Sequence, residues 1–128
     1  DRLVSAYYFL KNGTLPEDSW TVPLLEDTFE EFVLNLRKSP CKDHVVIKPM
    51  VETTGCDLSV FDHIIRHESI DEDWKALCQK IQIKYSPLAR RNRSRHKNYK
   101  DLYTPKMKAI VDDYYDEDFK VFGYEKVL

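Results

Sequence analysis

Apolar residues recur along this chain at helical spacing in four places, each opened or closed by a local signal. From Arg2 to Lys11, Leu3, Ala6, Tyr7 and Leu10 share one face, and Asn12-Gly13 ends the stretch. The second helix is expected from Thr28. Thr28 and Glu31 have the spacing of a capping box, Phe29, Phe32, Val33 and Leu36 form the stripe, and Pro40 stops it. The third opens on Ser69 with Glu72, a second capping box, and carries Ile70, Trp74, Leu77, Cys78 and Ile81. In the fourth, Thr104 is the cap and Pro105 takes the first helical position, where a missing N–H is harmless. Met107, Ile110, Val111 and Tyr114 make its apolar face, and a short last turn from Asp116 to Phe122 ends at Gly123.

Two segments have the character of strands. Val45-Val46-Ile47 reads as a short edge, and Val60 to Ile65 is the better case, bounded by polar residues. Two such strands do not make an independent sheet, so they are expected to complete one whose other strands lie outside this chain. No internal repeat or low-complexity linker interrupts the pattern.

Composition adds little until charge is placed along the chain. Hydrophobic residues are 42% and charged residues 33% of the 128, enough for a packed core, and the net charge of −2 names no partner. No apolar stretch is long enough to span a bilayer. Basic residues, however, cluster. Lys84, Arg90, Arg91, Arg93, Arg95, Lys97 and Lys100 lie in a loop-like segment without a single acid, whereas Asp112, Asp113, Asp116, Glu117 and Asp118 follow soon after. Arginine forks suit phosphate or sulfate oxygens. The basic loop is a solvated surface, an anion site for a nucleotide phosphate or sulfated sugar, or a nucleic-acid contact; residue types alone leave all three open. Asp112, Asp113 and Asp116 read as a solvated helix face.

Few residues carry recognisable chemistry. Ser5 sits near the start of the first helix, where amide groups and the helix dipole favour anions; an ordinary surface serine is the competing reading. Among His44, His63, His67 and His96 there is no HExxH motif, and no metal site is expected. His44, in a loop before the expected edge strand, is a candidate to face a substrate, and a general base would need reach to the acceptor hydroxyl. Cys78 belongs to an apolar stripe; Cys41 and Cys56 are a candidate pair in an oxidising compartment. With three glycines in all, the chain holds no glycine-rich phosphate loop or nucleophile elbow.

Taken in order, these segments resemble a known family. Arg2-Leu3-Val4-Ser5-Ala6-Tyr7 is similar to a segment of carbohydrate sulfotransferases that use 3′-phosphoadenosine 5′-phosphosulfate (PAPS), the Golgi-type group and its bacterial relatives. Thr28 to Val33 resembles the family's capped helix. His44 to Pro49 resembles its His-Trp-x-Pro-Gln stretch, although no Trp follows His44 and Met50 stands in place of Gln. Phe61 to Glu68, Leu88 to Lys97, Tyr103-Thr104-Pro105 and Asp116 to Tyr124 continue the likeness to the end.

The resemblance implies an α/β fold. This chain would be the C-terminal, mostly helical part of a P-loop-like sulfotransferase domain, residues 1–128, whose central parallel sheet is completed by missing upstream sequence. The 5′-phosphosulfate loop and the Arg that accompanies Ser5 in the family would then precede Asp1, and the chain alone would be inactive. It implies PAPS as co-substrate without metal, a carbohydrate acceptor, and no nucleic acid. Ser5, Arg2, Arg90, Arg91 and Arg93 would contact the cofactor, and His44, Arg66 and Arg95 the acceptor, with His44 the one catalytic candidate. Arg66 has an ion pair with Glu68 as its structural alternative. The location would be a Golgi lumen behind a membrane anchor outside this chain, or a bacterial cytoplasm. Asn12-Gly13-Thr14 and Asn92-Arg93-Ser94 are sequons compatible with the former. The contrasting reading is a small helical binding module, or an inactive relative, that holds nucleic acid or another polyanion on the basic loop.

Overall fold

The computed structural model describes residues 2–12, 26–89 and 98–126, and among them the regular structure is entirely helical. The α-helices are α1 (Arg2–Asn12), α2 (Phe29–Leu34), α3 (Val51–Thr54), α4 (Ile70–Lys80), α5 (Pro105–Tyr114) and α6 (Asp116–Phe122). Short 3₁₀ turns lie at Leu58–Val60, His67–Ser69 and Tyr99–Leu102. The chain divides into two compact units, Asp1–Cys56 with Ser94–Leu128, and Asp57–Arg93.

The first unit is built on the apolar faces that the pattern predicts. Leu3, Ala6, Tyr7 and Leu10 of α1 are all buried, joined by Val4. They pack with Phe29, Phe32 and Val33 of α2 and with Met107 and Val111 of α5. The Tyr7 ring meets Phe29 and Phe32 at 5.5 and 5.3 Å between centroids, and Phe29 meets Tyr103 edge-on at 5.4 Å. Burial pushes the Tyr103 hydroxyl well above the usual phenol range. The α2 capping box forms as read: the Thr28 hydroxyl accepts the Glu31 N–H at 3.2 Å, and Glu31 accepts the Thr28 N–H at 3.2 Å. That helix ends at Leu34, well before Pro40, because Asn35 leaves helical geometry and the chain continues in turns. At the far end, Thr104 caps α5 with Pro105 in its first turn. Gly123 closes α6 in the left-handed region (φ 67°), its N–H and that of Tyr124 both returning to the Phe119 carbonyl.

The two expected strands are not formed among the described residues, which agree with the mostly helical part of the reading. At Val45-Val46-Ile47 the His44 carbonyl accepts the N–H groups of Ile47 (2.8 Å) and Lys48 (3.0 Å), so the chain turns. The turn buries Ile47 completely and leaves Val45 exposed. The stretch Val60 to Ile65 begins inside a 3₁₀ turn whose cap, Asp57, accepts the Ser59 N–H at 3.0 Å. From Phe61 to Arg66 the backbone at both ends is extended (φ/ψ −97/127° and −89/140°). Among the described residues no strand pairs with it, and β-branched residues need such a ladder before extended backbone becomes a sheet.

The second unit turns on α4, whose Cys78 is buried. Its start departs from the expected capping box. Ser69 does not cap; its hydroxyl donates instead to Asp73 at 2.9 Å, and Asp73 also accepts the Arg66 N–H at 2.9 Å. A carboxylate is the stronger acceptor. These bonds, the Arg66 amide first, hold the Asp73 carboxyl below its ordinary range. Trp74 Nε1 donates to the Ser86 carbonyl at 2.9 Å and Lys80 Nζ to that of Asp62 at 3.2 Å, tethering both flanks to the helix.

The acidic run at the α5–α6 junction is largely paired on the surface. Asp112 meets Lys108, Asp113 meets Arg37, and Asp116 meets both Lys120 and Lys126. Hydrogen bonds from Lys120, then Lys126, lower the Asp116 carboxyl from 3.8 to about 2. A carboxyl lowered by folding contributes stability above its unfolded pKa and loses it as pH falls through the folded one. Acid unfolding of Asp116→Asn should therefore decline less steeply than wild type between about pH 4 and pH 2. Thermal midpoints across that range check it, and parallel curves would mean that the pairs do not persist in solution.

Candidate functional site

The first turns of α1 carry two of the candidate residues, Arg2 and Ser5. An α-helix leaves its first amide N–H groups without intrahelical acceptors, and the dipole makes that end positive. Ser5, half-buried, lies one turn along from Arg2, on the same side of the helix.

Arg2 is held in place by the first unit itself. Its Nη2 donates to the carbonyls of Val45 at 3.2 Å and Lys48 at 3.0 Å. Nη1 lies 3.6 Å from Asp118 Oδ2, and the guanidinium carbon stands 5.9 Å from the centroid of the Tyr115 ring. Asp118, in α6, is buried. Its Oδ2 accepts the Met50 N–H at 2.7 Å and its Oδ1 the Val51 N–H at 2.9 Å. Met50 occupies the cap of α3 but its side chain makes no capping bond, and a carboxylate from far along the chain takes the amides there instead. The Tyr115 hydroxyl donates to the Ile47 carbonyl, and burial raises its pKa far above the ordinary phenol value. The segment 45–51 is thereby gripped from α1, α6 and the residue between α5 and α6.

His44 opens that segment. It is half-buried, and its Nδ1 accepts the Val46 N–H at 3.3 Å. A neutral ring that accepts at Nδ1 carries its proton on Nε2, so His44 presents a donor in this arrangement. The sequence-predicted residues thus fall into three groups. Arg2, Ser5 and the His44 turn share the first unit, with Arg2 bonded directly to the turn. Arg66 belongs to the second unit, exposed, at the cap of a 3₁₀ turn. Arg90, Arg91, Arg93 and Arg95 lie outside the described residues. His63 and His67 are four apart, but the chain between them is not α-helical, so the spacing does not put them on one helix face.

Two members of the network, Asp118 and Tyr115, were not legible as site residues. A signal existed: Asp118 sits three residues after Tyr115 and four before Phe122, and all three are buried. A carboxylate on an apolar helix face needs buried partners. No disulfide joins the cysteines; Cys41 and Cys78 are buried and Cys56 is exposed. Burial, then the nearby Glu26 charge, raises the Cys41 thiol above its ordinary value. Among the described residues no group of three His, Cys, Asp or Glu side chains is placed to hold a metal ion, and no helix is long and apolar enough to cross a membrane.

Fold and site together define a mostly helical module with helix-terminal donors of the kind that suits an oxyanion. The family to which this belongs is shown by the sequence match: the model of the sulfotransferase family covers residues 1–125, so the chain is a member of that family. Sulfotransferases generally use PAPS and an acceptor substrate. No curated protein and no solved structure matches the chain.

The Arg2 contacts generate a stability expectation. Arg2→Ala removes the donor from two carbonyls and the counter-charge from a buried carboxylate, which should cost about 2 kcal/mol. Urea unfolding measures it. A loss below about 0.5 kcal/mol, the range of ordinary surface substitutions, would mean that water replaces the guanidinium without penalty.

Proposed function

We propose that this protein transfers a sulfo group from PAPS to a carbohydrate hydroxyl, and that the chain supplies part of the 3′-phosphate site together with acceptor-side loops. The observation that carries this reading is the family match over residues 1–125, with Ser5 half-buried one turn along from an anchored Arg2. The donor set fits a phosphate: a hydroxyl, a positive helix end and a guanidinium whose position is fixed.

In the reaction an acceptor hydroxyl oxygen forms a bond to sulfur and gives up its proton to a base or water, the bond from sulfur to the bridging phosphate oxygen breaks, and adenosine 3′,5′-bisphosphate leaves. Such transfers depend mainly on positioning and on stabilising charge that builds on the equatorial and leaving oxygens. Ser5 holds the 3′-phosphate. Arg2 adds positive potential while its side chain fixes the helix. Arg90, Arg91 and Arg93 contact the nucleotide, and Arg66 and Arg95 the acceptor. His44 donates a hydrogen bond to the acceptor sugar. Residues 1–128 act as the C-terminal part of one domain with a P-loop-like parallel sheet, completed by upstream sequence that carries the 5′-phosphosulfate loop.

NMR titration, which reads weak affinities, tests the site directly. The chain should prefer adenosine 3′,5′-bisphosphate to adenosine 5′-monophosphate. Ser5→Ala should lower the bisphosphate affinity about tenfold, the scale of one hydrogen bond to a charged group, and leave the monophosphate alone. Equal affinities unchanged by the substitution would favour a general polyanion-binding module. In a separate assay the 128-residue chain should give no sulfated glycan from PAPS, since the proposal places the phosphosulfate loop upstream of it. Measurable product would refute the proposed division of the active site.

A further inference from the structure

We infer that Asp118 is a positioning residue for the 3′-phosphate site, setting its nucleotide selectivity through Arg2 and the 45–51 turn. This rests on the reading of Ser5 given above. Asp118 stands on α6, far in sequence from every residue assigned to the cofactor. Yet its two oxygens hold the Met50 and Val51 amides at 2.7 and 2.9 Å, and the same carboxylate lies 3.6 Å from Arg2. Arg2 in turn donates to the Val45 and Lys48 carbonyls, the opposite side of the same turn.

This arrangement is directional in a way that packing is not. The α1 core residues fix how deeply the helix sits, but apolar contacts tolerate small rotations. Rotation about the helix axis carries Ser5 along an arc. The Arg2 guanidinium resists that motion, because its Nη2 donates to two carbonyls while Nη1 lies beside the Asp118 charge. The carbonyls stay in place only while the turn does, and the turn is capped by Asp118. Breaking the cap therefore releases both the acceptors of Arg2 and its counter-charge, although Asp118 itself touches no phosphate.

The start of α6 is held to the same turn as well: the hydroxyl of Tyr115, its cap residue, donates to the Ile47 carbonyl. α6 is thus braced against the same turn at two points. The C-terminal stretch Asp116 to Tyr124 acquires a function in this way: it holds the opposite end of the chain in register.

The test is the ratio of two affinities, read with a structural signature. In Asp118→Asn the side chain keeps its size and one acceptor oxygen but loses its charge. The Met50 and Val51 amide proton resonances should move upfield. The adenosine 3′,5′-bisphosphate affinity should fall about fivefold while that for adenosine 5′-monophosphate stays within about twofold. Arg2→Lys, which keeps the charge and loses the fork, should shift the ratio the same way and serves if Asp118→Asn does not fold. Val111→Ala destabilises the core away from these contacts and should leave the ratio as in wild type. An unchanged ratio in Asp118→Asn, or an equal shift in Val111→Ala, makes Asp118 merely structural and overturns the inference. The wild-type titration is read first: absence of any bisphosphate preference there removes the parent reading, and this inference with it.

Discussion

The first unit depends on one buried carboxylate. Asp118 takes two main-chain N–H groups on one side and faces the Arg2 guanidinium on the other. Burying a carboxylate without such partners is strongly unfavourable, and removing one partner from a satisfied set costs far more than the set contributes as a whole. The consequence is geometric. Three segments remote in sequence, the start of α1, the turn before α3 and the middle of α6, have to meet in one arrangement or leave a charge unpaired. Apolar burial around Tyr7, Phe32 and Met107 supplies cohesion in this unit. The carboxylate supplies its register.

The second unit is held differently. Of its described residues only Cys78 is buried, and Val60, Phe61, Ile64, Ile81 and Ile83 are all exposed. Its order comes from polar tethers to α4, namely Asp73 to Arg66 and Ser69, Trp74 to Ser86, and Lys80 to Asp62. Tethers of this kind are individually small and open easily, so a unit built on them belongs to the less stable part of a protein. Its extended but unpaired stretch from Phe61 to Arg66 is where the hydrophobic pattern and the observed backbone disagree most. The residues there have the composition of a strand, and strand structure is a property of two segments, never of one.

That contrast explains what was legible in the sequence. Helices were, because their hydrogen bonds are local and their apolar period is visible in a single segment. The caps at Thr28 and Thr104 followed for the same reason. Ser69 failed because a charged competitor, Asp73, sits one turn away on the same helix, and spacing alone does not rank two acceptors for one hydroxyl. Val45 to Ile47 failed because three apolar residues fit a buried turn as well as an edge strand. Of the candidate site, Ser5 was open to an anion-binding or an ordinary surface role on helix physics, and Arg2 was named only through family likeness. Asp118 was hidden among five acids, four of which face solvent or surface lysine and arginine side chains. Only its register with Tyr115 and Phe122 sets it apart.

Sulfo transfer does not require a conspicuous catalytic side chain. A nucleophile triad or a metal centre advertises itself by reactive side chains at fixed spacing. Transfer of a sulfo group from an activated donor asks mainly for in-line placement and for fixed positive potential around oxygens that gain charge. Those demands are met by helix ends, main-chain amides and arginines whose orientation is set by their neighbours. Such groups leave faint marks in a sequence, because what matters is how rigidly they are held. In this chain the rigidity around α1 traces to Arg2, Tyr115 and Asp118, residues that bond to the protein itself. A site of this kind is specified less by the groups that meet the ligand than by the groups that keep them still.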